Sequence, residues 1–227
     1  MVLVGLRSLQ ELLFPSHCLI CSLPGNEICS SCSSVWSGQP VPILFEGIRL
    51  VITTRYNACA QRIILAAKED GMVIARKTLA SAIAASLALF SEQVGNRPLT
   101  LIPVPSSNKA NRLRGMAHGN ELAKESSRIF FKLTGRRVSV VDLLRLARSV
   151  ADQSGLNRVE RSKNLHLAYF ANSDGLAKLA GRDLILVDDV ITSGSTAREA
   201  IRAISAAGGV LSGAIIPCAA SHFFPIR

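Results

Sequence analysis

At 227 residues, with 48% hydrophobic and 5% aromatic residues and a formal net charge of +10, the chain can bury a sizeable core in one or two domains. Its Ala, Val, Ile and Leu content suits an α/β protein. No apolar run reaches the roughly 18 residues that span a bilayer, and Met1 to Phe14 lacks a basic leader and an apolar core, so a cytoplasmic protein with no membrane span is expected.

Arg7 and Glu11 interrupt the N-terminal segment at helical spacing, and a helix is expected there. Four of the six cysteines follow, Cys18, Cys21, Cys29 and Cys32, in the pattern C-x2-C-x7-C-x2-C. Two such knuckles can bring four thiolates onto one tetrahedral Zn²⁺, and a segment of about forty residues needs that help to fold. A redox pair or an iron–sulfur cluster are the other readings of this spacing; disulfides suit a chain without an export signal less well. His17 reads as a surface residue, and Cys59 and Cys218 as core thiols. Pro40 and Pro42 read as a linker, which divides the chain into a Cys module at 1–45 and a larger domain at 46–227.

In the second part Ile48 to Thr54 alternates as a strand. Ala58 to Ala67 reads as a short helix, and Arg76 to Val94 as a long Ala-rich helix packed on a sheet. Leu99 to Val104 is the next buried strand, delivering Pro103-Val104-Pro105-Ser106-Ser107 and then Arg112-Leu113-Arg114-Gly115. A helix is expected from about Gly119 to Leu133, stopping at Thr134-Gly135. Then come a strand at Val138 to Leu144, a helix at Ser154 to Leu165, a short strand at Ala168 to Phe170, and a last strand at Val210 to Ile216. Strands alternating with helices predict a parallel sheet whose ligand sites lie beyond the strand C-termini.

The most informative stretch precedes that last strand. Leu184-Ile185-Leu186-Val187 is a strand buried on both faces, and Asp188-Asp189 stand at its C-terminal end. After Val190-Ile191 come Thr192-Ser193-Gly194-Ser195-Thr196 and a helix from Ala197 to Ile204 that closes at Gly208-Gly209. Such a turn presents unpaired backbone N–H groups, the positive end of a helix dipole and hydroxyl donors, so a phosphate is its natural occupant. Adjacent carboxylates beside a phosphate cradle suit vicinal sugar hydroxyls, with Mg²⁺ offsetting the ligand's charge. No GxxxxGK[ST] and no Rossmann glycine fingerprint is present.

The run LILVDDVITSGST resembles the signature by which type I phosphoribosyltransferases bind 5-phosphoribosyl-1-pyrophosphate (PRPP). That resemblance implies that Asp188 and Asp189 hold the ribose hydroxyls and that Thr192, Ser193, Gly194, Ser195 and Thr196 hold the 5′-phosphate. The order of Cys pairs, Tyr56 with Lys68, Ile102-Pro103-Val104-Pro105, Arg112-Leu113-Arg114-Gly115, Gln153, Arg161, Asn164 and Phe170, then the signature, resembles the ComF family over nearly the whole chain. It implies a type I phosphoribosyltransferase fold behind a zinc ribbon, with Val104, Pro105, Arg112, Arg114 and Lys68 as candidates for the pyrophosphate site. Where the family reads Arg-Gly-Phe-Asn-Gln this chain has Arg114-Gly115-Met116-Ala117-His118. Arg158, Arg161 and Lys163 stand where such transferases keep a mobile lid, although an ordinary amphipathic helix fits the same pattern.

Three function classes remain open. One is a transferase acting on an unidentified acceptor. Another is a single-stranded-DNA-binding accessory of competence and DNA uptake: between Pro103 and Phe170 thirteen Lys or Arg stand against five acids, with few aromatics for base stacking. The last is a zinc-ribbon scaffold that docks a competence helicase-type protein.

Overall fold

A computed structural model describes residues 17–106, 115–146 and 167–225. The expected N-terminal helix, Arg112, Arg114, the 154–165 helix and the lid candidates Arg158, Arg161 and Lys163 lie outside those residues.

After the Cys-rich stretch, which closes with a single turn α1 (Ser30–Ser33), the chain enters a hairpin of β1 (Val41–Phe45) and β2 (Ile48–Ile52). Its register runs from Val41 opposite Ile52 to Phe45 opposite Ile48. Glu46 and Gly47 both take positive φ, as a two-residue hairpin turn requires. The linker reading is therefore corrected at Pro42. Pro42 lies within β1, and an edge strand tolerates the missing N–H.

Next come β3 (Thr54–Arg55), α2 (Ala58–Lys68), α3 (Val73–Gln93), β4 (Leu99–Pro103), α4 (His118–Thr134), β5 (Val138–Val140), β6 (Leu144–Leu146) and β7 (Tyr169–Ala171). The chain then forms α5 (Ser173–Ala177), β8 (Asp183–Val187), β9 (Val190–Ile191), α6 (Ser195–Ala206), β10 (Gly213–Ile215) and β11 (Cys218–Ala219). Asn57 caps α2 by accepting from the Ala60 N–H at 2.9 Å, and Gly135 closes α4 in the left-handed conformation. The expected strand at Val138 to Leu144 is broken in two, because the chain turns through exposed Asp142, with Leu143 N–H donating to Val141 O at 2.9 Å.

The main sheet has the order β1-β2-β10-β8-β4-β5, parallel except at the β1–β2 edge. β3, β11 and β9 continue beyond the C-terminal ends of β2, β10 and β8 as a second parallel ladder. β6 and β7 pair antiparallel as a separate ribbon. This α/β architecture, with a mostly parallel central sheet flanked by helices, is the one expected from the sequence.

Two apolar layers sandwich the sheet. On one face α2, α3 and α4 pack through Ile63, Leu79, Ile83, Leu87, Phe90 and Phe130, and Cys18, Ile28, Cys32 and Trp36 belong to this same cluster. The other face is covered by α6 and the β6–β7 ribbon, through Ala200, Ile204, Leu144 and Tyr169. By length and composition α3 is apolar enough to cross a membrane, which the sequence reading missed because Arg76 and Lys77 punctuate its start. Half of its apolar window is buried inside the protein, as in a core helix.

Candidate functional site

All five residues of β8 are buried, and its pairing with β4 runs to Pro103 opposite Val187. Beyond Val187 the ladder breaks for two residues and resumes at Val190. Asp188 and Asp189 occupy that break, so their side chains leave the sheet at the end where the parallel strands point. Asp189 N–H donates to Asp188 Oδ1 at 2.9 Å.

The following loop turns into α6 through Gly194, whose φ is +78°. A side chain there would be strained by the backbone, and its Cβ would come within 2.8 Å of the Phe45 ring. Ser193 and Ser195 share a hydroxyl–hydroxyl bond at 3.0 Å, and Ser195 N–H donates to Ser193 Oγ at 3.3 Å. Arg198 Nη1 donates to Ser193 O at 3.0 Å from outside the loop. Asp188 and residues 190–197 line one small cleft of about 30 Å³, which brings the first acid and all of Thr192, Ser193, Gly194, Ser195 and Thr196 together at the N-terminus of a twelve-residue helix.

The two acids are electrically unlike. Burial pushes Asp188 up, as does the neighbouring charge of Asp189, to about 8, although part of Asp188 still meets solvent. Burial acts the same way on Asp189, but the Lys68 ammonium and His118 outweigh it and hold that carboxyl well below the usual range. Lys68 Nζ lies 3.2 Å from Asp189 Oδ2 and His118 Nε2 3.4 Å from the same oxygen. Lys68, assigned by resemblance to the pyrophosphate site, therefore contacts the acid pair.

A larger cleft of about 770 Å³ opens where β4 ends. Val104 and Pro105 form one side, Gly119 and Asn120 at the start of α4 a second, and Asp142, Arg145 and Phe170 a third. Gly119 allows the close approach of α4 to β4, since a Cβ there would stand 2.7 Å from Val104 O. Asn120 Nδ2 donates to Asp142 Oδ2 at 2.7 Å. Glu199 ties the β6–β7 ribbon to α6: it accepts from Tyr169 N–H at 3.1 Å and from Arg202, whose Nη2 also donates to Tyr169 O at 2.9 Å.

The second site is the Cys cluster. The Sγ atoms of Cys18, Cys21, Cys29 and Cys32 lie within 4.8 Å of one another, with Cys21 and Cys29 3.6 Å apart. About 3.8 Å is the tetrahedral edge for Zn–S bonds of about 2.3 Å, so the set could hold a metal such as zinc. Burial pushes the Cys18 thiol up, but backbone N–H groups of Cys29, Cys21 and Ile20 more than compensate and bring it down to about 6, favouring the thiolate a metal needs. His17 is exposed, as expected, and Cys218 is fully buried, its thiol pushed up to about 12 by burial and by Asp189.

Sequence reasoning missed the role of His118, which it noted only as a departure from a resembled pattern. It also missed the Glu46–Arg198–Ser193 brace and the Asn120–Asp142 pair. None has a local motif: each joins residues brought together by strand order.

No protein-family model matches this chain. Among curated proteins it is similar to an orotate phosphoribosyltransferase of Xanthomonas euvesicatoria pv. vesicatoria, at 55% identity over 40 residues, 18% of each chain. A second, from Xanthomonas axonopodis pv. citri, is 60% identical over 37 residues, 16% of this chain and 17% of that one. A third, from Pyrobaculum islandicum, is 42% identical over 40 residues, 18% of this chain and 21% of that one. The chain thus spans about a fifth of the length of the curated relatives it matches. With the sheet and the acid-pair loop described above, these local matches support a phosphoribosyltransferase-like domain.

Proposed function

We propose that this chain is a ComF-like protein that binds PRPP with Mg²⁺ and transfers its phosphoribosyl group to an acceptor held in the larger cleft. In this reading Asp188 and Asp189 take the ribose hydroxyls, and residues Thr192 to Thr196 take the 5′-phosphate. Val104, Pro105, Arg112, Arg114 and Lys68 are the residues that would take the pyrophosphate, and Mg²⁺ bound with it would offset its charge. Transfer at the anomeric carbon needs a held leaving group, a shielded ribose and a positioned nucleophile. Residues 1–45 carry a structural zinc on Cys18, Cys21, Cys29 and Cys32, and residues 46–227 carry the ligand site, with β1 of the first segment pairing with β2 of the second.

The observation that carries the reading is the break after β8: Asp188 faces the small cleft there with Asp189 beside it, and the next residues build an anion cradle at a helix N-terminus. Isothermal titration with PRPP and Mg²⁺ tests it, followed by pyrophosphate release across candidate acceptors. Asp188→Asn with Asp189→Asn should weaken binding by roughly ten- to hundredfold, as loss of charged hydrogen bonds to two hydroxyls requires. Unchanged affinity in that double variant would overturn the assignment.

A second reading, a single-stranded-DNA-binding accessory of DNA uptake that uses the sugar phosphate as a ligand, is favoured by the basic middle third and by one surface pair. Phe131 and Phe170 are exposed, and the Arg137 guanidinium lies 5.0 Å from the centre of the Phe131 ring.

A further inference from the structure

His118 is the first residue of α4 and is 2% exposed. Burying an imidazole is costly, and such residues ordinarily recover the cost through both ring nitrogens. Among the described residues neither nitrogen of His118 makes a hydrogen bond of good geometry, and Asp189 Oδ2 lies 3.4 Å from Nε2. Nε2 faces the carboxylate, and Nδ1 has no hydrogen-bond partner among the described residues. A residue kept in place for stability alone would be better replaced by an apolar side chain.

Lys68, at the end of α2, approaches the same oxygen from the other side, at 3.2 Å. Among the described residues, Cys218 on β11 and Asp188 are further ionisable groups whose charges interact with Asp189. Two helices thus converge on one carboxylate oxygen, Oδ2.

We propose that His118 and Lys68 form a clamp that positions Asp189, gripping Oδ2 so that Oδ1 is presented, ionised and fixed in direction, to a hydroxyl of the bound sugar. Both act through Asp189 and are positioning residues. The clamp rests on the proposed function only for the identity of the ligand. It also bears on why the two adjacent acids behave differently: Lys68 Nζ and His118 Nε2 lie 3.2 and 3.4 Å from Asp189 Oδ2, whereas Asp188 accepts the backbone N–H of its neighbour. A carboxylate held in one rotamer loses less entropy when it accepts a hydroxyl, so the clamp should favour the sugar and leave the phosphate cradle alone.

The test compares the parent with His118→Leu, His118→Gln and Lys68→Met. The Asp189 carboxyl is titrated by carbon NMR in ligand-free protein, and affinities are measured for ribose 5-phosphate and for inorganic phosphate. His118→Leu should move the Asp189 titration upward and weaken ribose 5-phosphate by about tenfold while changing inorganic phosphate by less than about twofold. His118→Gln, which keeps a donor, should restore both readouts. Should His118→Leu fail to fold, Lys68→Met, on the partly exposed partner, must show the same split. The clamp is overturned if the Asp189 titration stays at the parent position, or if both ligands weaken equally. A parent that binds neither ligand would refute the proposed function, and the clamp would then stand or fall on the titration alone.

Discussion

The Arg198 guanidinium lies over the Phe45 ring, 5.3 Å from its centre, and reaches back from α6 to the β1–β2 turn. From that position its Nη1 donates to Ser193 O at 3.0 Å and its Nε to Glu46 Oε1 at 2.6 Å. The hairpin turn, the phosphate-type loop and the first turn of α6 are thereby locked together. Both partners of the Arg198–Glu46 pair are about two-fifths exposed, so the pair itself contributes little.

This brace separates three variants. Glu46→Ala should cost no more than about 0.5 kcal/mol of stability. Arg198→Ala removes the Ser193 contact and the ring stack together, and should cost about 1 kcal/mol while weakening phosphate binding several-fold. Gly194→Ala should be the worst, because left-handed strain and the 2.8 Å approach to Phe45 act together. Urea melts and phosphate titrations on the three proteins check the order. A Gly194→Ala variant as stable as Glu46→Ala would disprove the close approach.

Metal removal gives a second expectation. Cys18, Ile28, Cys32 and Trp36 lie in the core that α2 and α3 share. Thr54 Oγ1 donates to Val35 O at 2.9 Å, and Arg62 Nη1 donates to Ile20 O. With so many contacts across, chelation or Cys29→Ser should lower the melting temperature of the whole protein instead of releasing a separate early transition. Elemental analysis of protein prepared without chelators should find one zinc per chain. Calorimetry that resolves an independent low-temperature transition would contradict the shared core.

The acid pair also predicts a pH dependence of stability. Asp188 keeps its proton in the folded protein up to about 8, whereas the unfolded chain gives it up in the ordinary carboxylate range. Between those values the folded state binds more protons, so Asp188 makes stability fall as pH rises through that window. Asp189 has the opposite sign: its depressed value contributes stability above the ordinary carboxylate range that is lost on acidification. Asp188→Asn should therefore remove that decline and exceed the parent at pH 9, where it is complete, by at least about 1.4 kcal/mol, the worth of one pKa unit. Denaturant melts at pH 5, 7 and 9 decide it, and parallel declines in both proteins would show that Asp188 is not the source.

Much of this was legible because it is local. Leu184 to Val187 has no polar alternation and is buried on both faces, and the small and hydroxyl residues after Asp188-Asp189 turn into a helix within a few positions. The Cys spacing likewise encodes a cluster directly. What stayed hidden depends on strand order. Phe45, at the end of β1, meets Gly194 although β2 and β10 separate β1 from β8 in the sheet, and Lys68 and His118 reach Asp189 from helices fifty residues apart. Pro42 misled because a proline breaks a central strand, whereas β1 is an edge. The strand at Val138 to Leu144 was overextended because apolar content continues through a turn whose only polar mark is Asp142.

Single-stranded DNA supplies the last expectation, and the structure sharpens which residues to change. Arg136 and Arg137 are adjacent in the basic middle third, but Arg136 Nη1 is anchored to Ser91 O at 3.1 Å on the end of α3, while Arg137 lies over the exposed Phe131 ring. An anchored guanidinium has less freedom to meet a phosphate, and one stacked on an exposed ring offers a base platform and a cation together. If DNA binds here, log K should fall with log salt by about 0.7 for each neutralised phosphate. Arg137→Glu should reduce affinity and flatten that slope by more than Arg136→Glu does, and Phe131→Ala should weaken binding without changing the slope. Affinity for the sugar phosphate should be unaffected by all three changes, since none touches the acid pair or its loop. Binding that is insensitive to salt, or equal losses from the two arginines, would remove this surface as a DNA site and leave the small-molecule reading alone.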